Sequence, residues 1–161
     1  MDIAAILVSQ YLASLEMLRQ TIVACPEAVW NAPEDTNKFW HTAYHALHFV
    51  EEYLADSPQT FRPWAKYRPG YEEYPLPEDA PVYDRDTILE YVAYCQQHVK
   101  ERLPQIDLAA MEKHPQPLYT MLELQIYNIR HIMQHAGELM ERLAARDGAE
   151  IDWVGRVTSD E

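Results

Sequence analysis

Seven histidines occur in the 161 residues, and five of them fall in two short stretches. FWHTAYHALHFVEEYL carries His41, His45 and His48, and LELQIYNIRHIMQHAGELMERL carries His131 and His135. At about 100° per residue a helix puts His131 and His135 on one face, one turn apart, and sets the other three within roughly 60° of one another. Neutral imidazole suits zinc, nickel, copper and iron. A His-x3-His pair can reach a single ion from one helix. A third ligand from a facing helix would complete a triad and leave positions open for water or substrate, as catalytic sites do.

Spacing alone leaves a solvated face as the competing reading. One His-x3-His pair arises readily by chance. On the first stretch Ala43, Ala46, Leu47, Val50 and Leu54 lie mostly opposite the histidines, which fits surface imidazoles there. On the second, Met121 and Leu139 lie about 40° from His135, at the border of the apolar sector. Asn128, one turn before His131, and Glu138, just beyond His135, are candidates to fix an imidazole tautomer.

Four helical patterns must position these residues: about 3–24, 36–56, 85–103 and 117–146. The first carries Leu7, Tyr11, Leu18 and Ile22 at helical spacing and ends before Pro26. Glu34 and Asp35 precede the second, where negative charge favours a helix start. The third carries Ile88, Val92, Cys95, Val99 and Leu103 on one stripe; Thr87 and Glu90 have capping-box spacing, and Pro104 stops it. The fourth is expected to open at Pro117 and to close at Gly148 in a left-handed cap. The expected fold is all-α: a single domain over 1–161 built as a four-helix bundle. The stretch 57–83 holds six prolines with Phe61, Trp64, Tyr67, Tyr71 and Tyr74. It is too aromatic for a flexible linker and reads as an ordered crossover between helices two and three. The tail after Trp153 is expected to fray.

A formal net charge of −13 opposes nucleic acid and anionic membrane surfaces as partners. No apolar run approaches a membrane span. The N-terminus has an acidic residue where a secretion signal needs basic ones, so a cytoplasmic location is expected. Cys25 and Cys95 are expected as free thiols, Cys95 as packing. Helix one is apolar around much of its circumference, which calls for cover by the crossover or by a second subunit; a homodimer is the expected answer.

Ferritin-like di-iron sites need Glu-x-x-His, and no Glu here has a His three residues later. A hemerythrin-like di-iron site is a nearer rival, since His48 and Glu52 share the i, i+4 spacing of His131 and His135, but no His has an Asp five residues on.

The stretches WHTAYHALHFVEEYL and LYTMLELQIYNIRHIMQHAGEL resemble the DinB/YfiT-like superfamily of metal-dependent helical bundles. RH, three residues, H, then a small residue and EL is similar to that family's last-helix motif, where RHVQHH followed by QL is common. AYHALHFVEEYL is similar to a YHTLFF…YL stretch of one branch. The resemblance implies helices in up-down-down-up order and one divalent ion, zinc or nickel, held by His45, His131 and His135. His41 or His48 could substitute for His45, and Glu138 stands where glutamine is frequent. It further implies a thiol-dependent transferase or isomerase, or a hydrolase, acting on a small molecule with a small thiol as cosubstrate, and a dimeric assembly. The alternative is a non-catalytic bundle that binds metal or a small ligand.

Overall fold

The computed structural model describes residues 1–113 and 118–158. Among them it is all-helical: α1 (Ile3–Ala24), a single turn α2 (Glu27–Trp30), α3 (Phe39–Tyr53), α4 (Arg85–Arg102) with a 3-10 turn at Leu103–Gln105, and α5 (Met121–Asp147). α1 and α3 each pack against both α4 and α5. One continuous hydrophobic cluster runs through all four long helices and includes Trp64, Tyr71 and Tyr83 of the crossover.

The helix ends follow local chemistry. Asp2 caps α1 by accepting from the amide of Ala5 at 3.0 Å, and Pro26 lies just past its end. The cap of α4 is Asp84, whose Oδ1 accepts from the Thr87 amide at 2.7 Å, not Thr87 itself. The expected stripe on this helix is buried from Ile88 to Leu103. The start of α5 differs from the reading of Pro117, which lies outside the described residues: Thr120 and Glu123 form a reciprocal capping box ahead of Met121. Gly148 closes α5 at φ 69°, in the left-handed region.

Asp35 does not serve α3. Helix α3 begins at Phe39 with no side-chain cap bond, while the Asp35 carboxylate accepts from Arg142 at 3.2 Å and from Arg146, both on α5. Guanidinium groups displaced the expected helix-start role because they form charge-assisted bonds that an exposed helix dipole cannot match.

The crossover is ordered by its aromatic rings. Trp64 stacks on Tyr91 of α4 with centroids 4.3 Å apart, and Tyr83 stacks on Tyr44 of α3 at 5.4 Å. Trp30 Nε1 donates to the Tyr83 carbonyl at 2.8 Å. The tail also departs from expectation. Val157 packs on the core, and Gln10 of α1 donates to the Gly155 carbonyl. The chain's own C-terminal segment therefore covers apolar surface of α1 that had called for an outside partner; Ile3 and Ile6 stay exposed.

Candidate metal centre

Helices α3 and α5 face each other across a polar seam. Asn128 Nδ2 donates to the Phe49 carbonyl and Gln125 Nε2 to the Tyr53 carbonyl, each at 3.0 Å. Gln125 also accepts from the Tyr11 hydroxyl at 2.7 Å, which ties α1 to the same layer. These bonds set the register that brings His45 opposite His131 and His135. Asn128 is thereby engaged with α3 backbone instead of holding a histidine.

His45 Nε2 lies 3.2 Å from His131 Nε2, and His135 Nε2 lies 3.0 Å from the same atom. The three ligand atoms all fall within 4.8 Å of one another. Donors about 2.05 Å from one ion stand roughly 2.9 Å apart at right angles and roughly 3.3 Å apart in a tetrahedron, so both short separations fit a shared ion. Among the described residues this is the one cluster of three such groups that could hold a metal.

The outer nitrogens decide the tautomers. His45 Nδ1 donates to the Glu72 carbonyl at 2.6 Å, and His135 Nδ1 donates to Glu138 Oε2 at 2.8 Å. Both Nε2 atoms therefore present lone pairs toward His131 Nε2. Three nitrogens turned inward repel unless a proton or a cation lies among them. When a proton sits on His131 Nε2, His131 Nδ1 is left as a buried nitrogen with no partner among the described residues. A cation among the three Nε2 atoms relieves their repulsion with no proton there, so the donor set fits a metal ion.

Burial keeps the His45 and His131 rings neutral. Desolvation pushes His45 and His131 down to about 4, helped by the neighbouring imidazoles; the Glu72 carbonyl opposes this at His45 and the Glu138 charge opposes it at His131. Rings surround the site. Tyr74 stacks on His45 at 4.7 Å, Phe49 stands edge-on to both His45 and His131, and Tyr127 lies nearly parallel to His131 at 6.3 Å.

The other two histidines of α3 are buried too, against the surface role that their spacing allowed. The crossover covers that face. His41 Nε2 bonds the Tyr71 carbonyl at 2.8 Å, and His48 stacks between Tyr44 and Tyr67 with Nε2 3.6 Å from Glu52. Neither joins the three-nitrogen cluster. The di-iron reading built on His48 and Glu52 thus has no support in the geometry. Glu72 and Tyr74 went unread in the sequence as site residues: Glu72 acts through its backbone, which leaves no side-chain signal, and Tyr74 was hidden among many aromatics.

A family model described as the DinB superfamily matches residues 10–139. The chain belongs to the DinB superfamily. The matched span contains all three clustered histidines of this DinB-superfamily chain. Among curated proteins no relative matches it. No helix among its described residues is long and apolar enough to cross a membrane. Both cysteines are buried and unpaired. Burial pushes the Cys25 thiol up to about 12 and raises that of Cys95, so neither supplies a thiolate nucleophile near neutral pH.

Proposed function

We propose that this DinB-superfamily chain holds one divalent ion, zinc or nickel, through His45, His131 and His135, and uses it as a transferase that joins a small thiol to an electrophilic substrate. The observation that carries the reading is the convergence of three imidazole nitrogens, with the outer nitrogens of His45 and His135 already engaged. When bound, the ion would lower the pKa of a thiol or water at its open positions and so supply a nucleophile at neutral pH. The chain's own contribution is positioning: the Glu72 carbonyl and Glu138 hold two rings in the metal-binding tautomer, while Phe49, Tyr74 and Tyr127 limit water around them. Metal analysis of purified protein beside a His131→Ala/His135→Ala variant tests the site; equal content in both would refute it. Thiol consumption with a model electrophile, faster in loaded protein than in that variant, tests the activity.

The fold of this reading is one domain, a four-helix bundle in up-down-down-up order. Support comes from residue pairings: His45 with His131, Phe49 with Asn128 and Tyr53 with Gln125 run in opposite senses along α3 and α5. Leu47 of α3 with Cys95 of α4, and Asp56 just past α3 with Arg102 at the end of α4, run in the same sense. A homodimer in a reducing, cytoplasmic setting completes the proposal; exposed Ile3 and Ile6 of α1 offer apolar surface for a second copy. Sedimentation equilibrium giving the 18.8 kDa of one chain across dilution would overturn the dimer.

The alternative is a non-catalytic metal- or ligand-binding bundle, which the histidine cluster would serve equally well. Loaded and variant proteins turning over a broad thiol–electrophile panel at the same rate would select it.

A further inference from the structure

Beside the histidine cluster, the outer face of α5 forms a groove of about 350 Å³ lined by Tyr127, Arg130, His131, Met133 and Gln134. Arg130 is exposed. The residues one turn to either side of it are Ile126, Tyr127, Met133 and Gln134, all uncharged. The chain carries 26 acidic residues against 13 basic ones, and Arg19, Arg102, Arg142 and Arg146 each pair with a carboxylate. Arg130 has no ion-pair or hydrogen-bond partner among the described residues. A guanidinium left uncompensated in so acidic a chain, in the same groove as a clustered histidine, is available to an anion from outside.

We propose that Arg130 anchors a carboxylate on the small molecule that this site takes, so that the ligand is a monoanionic organic acid lying along Tyr127 with its other end at His131. The inference rests on the histidine centre being the reacting end, as proposed above. A planar guanidinium matches a carboxylate in a two-point, charge-assisted contact. Tyr127 is 39% exposed and, at about 60° from Arg130 and 40° from His131 on the helix, offers apolar surface between Arg130 and the cluster. Its ring lies 8° from parallel to that of His131, so a body laid against it is led toward the histidines. One cation matches one negative charge; a phosphate ester would bring a second charge into a chain of net charge −13, near the Glu138 carboxylate.

The test uses two matched probes, 3-mercaptopropionate and 1-propanethiol, titrated into zinc-loaded protein with binding followed by calorimetry. Wild-type protein should bind the carboxylate probe about tenfold more tightly than the neutral one, the scale of a partly exposed charge-assisted contact. Arg130→Gln should keep its zinc content and its 1-propanethiol affinity and lose that preference, with Arg130→Lys in between. A preference unchanged in Arg130→Gln would overturn the proposal. Wild-type protein that takes up no zinc would sink the metal reading instead. Benzoate binding to the metal-free protein then decides the role of Arg130: weakened in Arg130→Gln it stands, and equal affinity in both proteins overturns it.

Discussion

Glu138 stands three residues beyond His135 on α5, its Oε2 2.8 Å from His135 Nδ1. The carboxylate is half exposed at the side chain while the imidazole is buried, so a surface charge reaches inward to orient a ring and hold its tautomer. Glu138→Gln keeps an acceptor but removes the charge, and should weaken zinc affinity by about tenfold; Glu138→Ala removes both and should cost toward a hundredfold. Competition with a chromophoric chelator reads both, and wild-type affinity in Glu138→Ala would show that this contact does not tune the site.

Acid should destabilise the metal-free protein through its buried histidines. His45 and His131 sit at about 4 in the folded state against the ordinary 6.5. Between those values the unfolded chain binds protons that the folded chain refuses, so their contribution is full above 6.5 and lost as pH falls toward 4. The slope reaches at most about 1.4 kcal/mol per pH unit for each histidine. Urea unfolding at stepped pH after chelation should show this slope, and it should shrink in His45→Gln/His131→Gln. The same shift means that protons compete with a metal at these two nitrogens only as pH falls toward 4.

Asp35 clasps the C-terminal half of α5 through Arg142 and Arg146. Asp35→Ala should lower stability by about 1–2 kcal/mol, because two charge-assisted contacts are lost at a partly buried carboxylate. Thermal unfolding measures it; an unchanged midpoint would mean that the clasp adds nothing net.

Glu51 lies buried between α3 and α4, accepting from the Tyr91 hydroxyl at 2.7 Å and from Tyr94 at 3.2 Å. Burial raises its pKa despite these bonds, so the charge is not what the fold requires of it. Glu51→Gln should therefore be tolerated far better than Glu51→Leu, which strands two tyrosine hydroxyls at about 1–3 kcal/mol each. Chemical denaturation with both variants decides this, and equal losses would refute it.

Gly137 interrupts α5 with no neighbour that forbids a side chain. Gly137→Ala should stabilise the metal-free chain by about 0.5–1 kcal/mol through helix propensity. A loss of stability would show that a β-carbon is excluded there, by a second copy for instance.

The helices and the spacing of the paired histidines were legible in the residues because both are local. Apolar periodicity, the Gly148 cap and the i, i+4 relation of His131 and His135 depend only on helix geometry. Which histidine of α3 would join that pair was not local. Spacing left His41, His45 and His48 open, and only the family resemblance favoured His45. The packing of α3 against α5, set by Asn128 and Gln125 on α3 carbonyls, brings His45 across from the pair. The crossover then engages the other two: Tyr71 takes up His41 through its carbonyl, and Tyr67 covers His48. The helical wheel allows that face to meet solvent, since a wheel cannot register a cover 20 or 30 residues away in sequence. Asp35 makes the same point. Its position before α3 suggested a helix start, but its carboxylate is held by α5, more than 100 residues on, because two guanidinium groups outweigh a helix dipole. Sequence determined which groups were available and on which faces of their helices; long-range packing decided which of them meet.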